Sequence, residues 1–395
     1  MHRIAYIFPI IVLGASIYLF KPDQMEWVYV LSLALSELLI YMIIRRASRK
    51  AEYLGAYSIR VEYHEDWTER VVTTESYTDS QGRTQTRQRV RYVHHPEEWH
   101  MIMNTGRDER ISQSTYEQCR SRWRTEGIPF RPPHINCVRG GGGLAYSWDG
   151  VYEHAATCTY KGLYVNYITN SHSLFRHSKP NLGEQEELGL IDYPKFSSND
   201  LDIDPVLISE KLKGIESDPY HQRAIQLING VYGSRHQIHV FVLLFDGTLG
   251  VETALRQKAH WEGGNKNEFV LCLGIIPDQE NGHKVAWCEP FSWCDIPRLE
   301  TASKSWFIEN PTLDLCAYAA WLRENLGLWK RKEFKDFKYL GVRLSPGRKA
   351  LVFLASLLLS VGIGVIFHED YRARYGMPFD FKAWWTENIT YNINH

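Results

Sequence analysis

The chain has 395 residues, with 45 Lys and Arg against 46 Asp and Glu for a formal net charge of -1, and seven cysteines. So even a balance excludes the global basic field that would make nucleic acid a default partner. Seven cysteines at irregular spacing (Cys119, Cys137, Cys158, Cys272, Cys288, Cys294 and Cys316) argue for reduced thiols and against a disulfide framework.

Three apolar runs, Ile4 to Phe20, Trp27 to Ile44 and Ala350 to Phe367, frame a charge-rich interior. Each is about 17 to 18 residues long, the lower limit for a helix crossing a ~30 Å hydrocarbon layer. The fold class they predict is α+β, with three transmembrane helices, an N-terminal hairpin plus one at the C-terminal end, enclosing a large cytoplasmic domain. Basic residues set the orientation. Arg45, Arg46, Arg49 and Lys50 follow the second run, and Lys330, Arg331, Lys332, Lys335, Lys338, Arg343, Arg348 and Lys349 precede the third. The N-terminus and main domain are therefore expected in the cytoplasm and the C-terminus outside, in a bacterial inner membrane. A cleaved signal peptide is the competing reading of the first run.

The expected domains are a transmembrane helical hairpin at 1–50, a β-rich cytoplasmic subdomain at 51–177 and a linker at 178–217. An α/β cytoplasmic subdomain at 218–345, a transmembrane helix at 346–368 and an outside tail at 369–395 complete the chain. Inside the predicted spans, Glu37 is a carboxylate that hydrocarbon would force to find a partner, with Ser32 and Ser36 beside it. Ser356, Ser360 and Gly364 form a small-residue stripe suited to close helix packing. The small-residue stripes favour a tight helix bundle, and Glu37 points to a homo-oligomer within the lipid bilayer.

The β-rich half begins with strands at Tyr57 to Tyr63, Val71 to Thr78 and Thr84 to Val93. Asp79-Ser80-Gln81-Gly82 supplies the turn of a hairpin between the last two. Its arms are polar, and alternation places several arginines of the Arg83, Arg87, Arg89 and Arg91 series on one face. Arg110 to Arg124 has helical composition, and Asp149 to Thr169 is again β-rich. Past the Pro- and Gly-rich segment Ser178 to Asp204, Asp218-Pro219 caps a helix. A nearly unbroken apolar strand, Ile238 to Phe245, and a second apolar strand, Phe269 to Ile276, flank a helix from Thr248 to Trp261, which predicts a parallel βαβ unit. Asn281-Gly282 then turns into Lys284 to Cys288, and a last helix opens at Asn310-Pro311.

Several clusters could carry chemistry. His94, His95, Glu97, Glu98 and His100 lie within one heptapeptide, but without the helical spacing of a zinc hydrolase. His134 and Cys137, followed by His154 and Cys158, could make a tetrahedral zinc site, although with irregular spacing. No other cofactor is expected. The turn Trp261 to Glu268 ends the helix with paired glycines, and Trp261, Lys266 and Glu268 there could line a pocket. Asp246 resembles the second aspartate of the haloacid-dehalogenase-like phosphatases, but Leu244 stands where the nucleophile belongs, so Asp246 reads as a cap.

The expected function is a membrane-anchored cytoplasmic binding or scaffold module, a sensor, assembly or regulatory protein with a protein partner. A membrane-bound metal- or thiol-dependent hydrolase and a subunit of an oligomeric channel or transporter are the alternatives.

Overall fold

The computed structural model describes residues 34–35, 38–46, 48–78, 82–122, 127–130, 144–149, 155–171, 177–197, 200–278, 282–342, 344 and 346–375. The chain divides into two compact units. One is formed by residues 1–50, 165–174 and 335–395, the other by 51–164 and 175–334.

The larger unit contains most of the strands. β1 (Arg49–His64), β4 (Glu98–Met103), β5 (Asp108–Ile111), β6 (Ile128–Phe130), β7 (Ala145–Asp149) and β8 (Thr157–Val165) form one sheet, ordered β5-β4-β1-β7-β6 with β8 also on β1. Its core gathers Val61, Met101, Met103 and Trp148, covered by Tyr116 and Cys119 of α1 (Gln113–Arg120). Among the described residues, β2 (Trp67–Thr78) and β3 (Thr84–His95) pair only with each other, antiparallel, from Trp67↔His95 to Thr78↔Thr84.

The second sheet is ordered β12-β11-β10-β9. β9 (Val206–Ile208) and β11 (Glu268–Asp278) both run parallel to β10 (His239–Asp246), while β12 (Gly282–Ser292) returns antiparallel to β11. Successive side chains of β10 and β11 enter different cores, as strand alternation dictates. Val240, Val242 and Leu244 pack with Leu271 and Leu273 toward Ile225, Leu299, Phe307, Tyr318 and Leu322. These last come from α3 (Pro219–Leu227), α6 (Pro297–Glu309) and α7 (Leu315–Asn325). Phe241, Leu243 and Phe245 pack with Val270 and Cys272 toward Ala254 of α5 (Glu252–His260) and Trp261. Both faces being covered explains why Val240–Phe245 and Phe269–Leu273 within these two strands are continuous apolar runs.

The stretch read as a linker carries structure. It holds α2 (Leu182–Leu188), whose N-cap Asn181 and Glu184 exchange reciprocal capping bonds, and it supplies β9. Ile191, Tyr193 and Phe196 pack against the core of Phe241 and Trp261.

Three buried amides complete the backbone pairing where strands run out. Asn229 accepts from Val240 N at 2.7 Å and donates to Val240 O at 2.9 Å. Gln222 does the same for Val206 at 3.0 and 2.6 Å, and Gln257 for Ile191 at 2.9 and 2.9 Å. Asn229 and Gln222 take the place of a neighbouring strand, Gln257 anchors the irregular segment at Ile191, and all three satisfy main-chain groups that burial would otherwise leave unmet. Asn229 lies in a π-helical stretch, Ile228–Tyr232, that leads into the short helix α4 (Gly233–His236).

The expected membrane architecture is corrected by the smaller unit. Among the described residues, no helix is long and apolar enough to cross a membrane. The run Ile4 to Phe20 and part of Trp27 to Ile44, with Ser32, Ser36 and Glu37, lie outside the described residues. The third run falls in α8 (Pro346–Tyr375), which continues through Glu369, Asp370, Arg372 and Arg374. Val352 is buried with Ile40 and Leu344, so part of its apolar surface covers the helical segment 38–46. Ser356 is buried as well; the side chains at Ser360 and Gly364 are outside the described set. Nor are all the basic residues once read as membrane flanks free surface charges. Arg331, in the larger unit, has a side chain only 11% exposed and donates to both oxygens of Glu52 at 2.7 Å. The three-span fold class, the multi-pass description and the inner-membrane location are accordingly withdrawn.

Candidate functional site

The turn joining α5 to β11 builds a buried polar network. Gly263 and Gly264 have φ of +83 and +80, a region open to glycine at little cost. A Cβ on Gly264 would approach Glu268 Oε2 to 2.8 Å. This tight turn brings Asn265 over Glu268, which is 1% exposed. Asn265 N donates to Glu268 Oε2 at 2.7 Å and Asn265 Nδ2 to Oε1 at 2.8 Å, while the Tyr193 hydroxyl donates to Oε1 as well. Burial pushes the Glu268 carboxyl up, and the donors from Tyr193 and Asn265 pull it back. Tyr193 is itself raised, first by burial and then by the adjacent carboxylate.

Trp261 and Lys266 belong to the same neighbourhood. The Trp261 indole lies 5.0 Å from the Tyr193 ring and donates to Ile191 O at 2.7 Å. Lys266, 8% exposed, holds its ammonium 5.0 Å from the Tyr164 ring, and Tyr164 in turn donates to Asn265 Oδ1 at 2.8 Å. Burial lowers the Lys266 pKa, with the Arg331 cation also lowering it and Glu52 opposing. The three residues expected at a pocket are thus linked through Tyr193, Asn265 and Tyr164. To reach the Glu268 oxygens, a ligand would have to displace Tyr193 or Asn265.

The histidine-rich heptapeptide is divided between two sheets. His95 closes the hairpin, stacked on Trp67 at 4.3 Å and 3.0 Å from Glu69. His100 lies in β4, stacked on His64 at 4.6 Å and 2.8 Å from Asp108. Of the other His/Cys set, His134, Cys137 and His154 lie outside the described residues. Cys158 is buried in β8, and burial raises its thiol strongly. Burial likewise pushes Cys119 up to about 11. Both thiols are held in the protonated, poorly nucleophilic form. Asp246 accepts from Thr248 N at 2.9 Å as the cap of the 3-10 turn Gly247–Leu249.

No family model, curated protein or solved structure matches the chain. The larger unit also presents exposed surfaces outside the Glu268 network.

The hairpin β2–β3 is the most unusual of these surfaces. Every described residue in Val72–Tyr77 and in Gly82–Tyr92 is exposed. Register places Val71, Thr73 and Glu75 opposite Arg91, Arg89 and Arg87 on one face. Arg89 approaches Glu75 at 3.5 Å. The other face pairs Arg70 with Tyr92 and Val72 with Val90. It leaves a row of apolar side chains in water, with Tyr92 62% exposed. A separate open cleft of about 650 Å³ is lined by Arg122, Asp202, Asp204, Gln222 and Arg223. There Asp202 is paired with both arginines, so much of its charge is already neutralised.

Proposed function

We propose that this chain is a binding module that docks a protein partner through the β2–β3 hairpin. The observation that carries the reading is a ribbon of twelve residues per arm whose outer part, Val72–Tyr77 and Gly82–Tyr92, is exposed on both faces. A lone two-stranded hairpin is marginal in water at best, because it buries too little apolar surface to offset its ordering entropy. A partner that wraps the ribbon and contacts both faces would supply what is missing.

The chemistry of the ribbon describes that partner. From Arg70 to Tyr92 the sequence holds five arginines against Glu75 and Asp79, a local net charge of +3 in a chain of net charge -1. An acidic surface is thus attracted to the arginine face, and the attraction speeds encounter more than it adds affinity. Val72, Val90 and Tyr92 on the opposite face favour a protein over a nucleic acid, since they need apolar counterparts and not phosphates.

Excising the arm tests the reading. In a variant with residues 71–91 replaced by a short Gly-containing turn, we expect the melting of the remaining fold to be unchanged and capture of the partner by tagged protein to be lost. Undiminished capture by this variant would defeat the proposal.

A further inference from the structure

Two helix N-termini that meet on the second sheet carry a set of side chains with no role in the hairpin or in the Glu268 network. His221 lies in the first turn of α3, and Cys316 in the first turn of α7. Asp314 is the N-cap of α7. One donor atom from each of His221, Asp314 and Cys316 lies within 4.8 Å of the other two. The helices are held in this relation by their shared core, in which Ile225 of α3 packs among Leu315, Tyr318 and Leu322 of α7.

We propose that His221, Asp314 and Cys316 bind a zinc-class divalent cation that clips α3 to α7. One imidazole, one carboxylate and one thiolate are the donor types zinc accepts, whereas calcium and magnesium demand oxygen. Zinc bonds of about 2.0–2.3 Å in tetrahedral geometry place ligand atoms roughly 3.3–3.8 Å apart. Closing the observed spacing to that range takes a shift of about 1 Å, within the reach of side-chain rotation. Three protein ligands leave a fourth position for water.

The local structure prepares the site. Asp314 accepts from Ala317 N at 2.9 Å through Oδ1, so the cap fixes the carboxylate and leaves Oδ2 outside the capping bond. Asp218 caps α3 in the same manner, its Oδ1 accepting from Tyr220 N at 2.8 Å. Its Oδ2 stands 3.8 Å from His221 Nδ1. A small rotation would close this pair to a hydrogen bond, and a carboxylate so placed on one ring nitrogen would orient the histidine to present the other, which makes Asp218 a positioning residue in the proposed site.

The test uses the full chain, stripped with chelator and titrated with cobalt(II) and then zinc(II). We expect one equivalent of cobalt to give a sulfur-to-metal charge-transfer band that zinc abolishes. Cys316→Ser should remove the band, and Asp218→Asn should weaken apparent affinity by about tenfold or more. In the unsubstituted protein, zinc should also shield Cys316, which is exposed, from alkylation followed by peptide mapping. That arm does not depend on any variant folding. A charge-transfer band that survives Cys316→Ser, or Cys316 alkylation indifferent to zinc, would overturn the proposal.

Discussion

His239 is the residue with the clearest electrostatic consequence. It begins β10 at 3% exposure, packed on Phe241 at 4.6 Å, and neither ring nitrogen has a hydrogen-bond partner among the described residues. With nothing to compensate a buried cation, desolvation lowers its pKa to about 4. Its folded value thus lies below the ordinary 6.5. The unfolded chain takes up this proton first as pH falls, so stability is complete above about pH 6.5 and declines toward pH 4. A shift of this size corresponds to about 3 kcal/mol. Urea unfolding at pH 7 and pH 4.5 should show the decline in the parent protein and a much smaller one in His239→Leu. Equal slopes in the two proteins would mean that His239 finds a partner when charged.

At the level of elements, the second sheet depends on side chains standing in for strands. Asn229→Leu leaves the Val240 N–H and C=O buried without partners, which should cost roughly 2–5 kcal/mol in urea unfolding. A loss of under 1 kcal/mol would show that the sheet edge reaches water. This device was not legible in the sequence, since an isolated Asn or Gln in a helix gives no sign of which distant backbone it will meet. The parallel unit of β10, α5 and β11 was legible, because two nearly unbroken apolar strands separated by a helix admit few other arrangements. The β2–β3 pairing was also legible from its turn and its β-branched residues. The packing of Ile191 and Tyr193 was hidden by a Pro-, Gly- and Ser-rich composition that ordinarily marks a connection.

For the whole molecule, an apolar run of this length is not sufficient for a membrane span. α8 runs on into charged residues and spends part of its apolar surface on Ile40, while Arg331 serves an internal pair with Glu52. The candidate site was only partly legible. The neighbourhood of Trp261, Lys266 and Glu268 could be located from the paired glycines, whereas its links through Tyr193 and Tyr164 join positions far apart in the chain. His221 and Cys316 are likewise joined only by the packing of α3 on α7. Docking through the β2–β3 arm is tested most directly by a photo-crosslinking residue at Val90, with a second placed at Ile308, which is also exposed, as control. We expect Val90 to yield one adduct with a different protein, absent at Ile308 and lost when Arg87 and Arg91 are both changed to Glu. An adduct at Val90 no stronger than at Ile308, or one formed only with a second copy of this chain, would contradict docking of a protein partner through the hairpin.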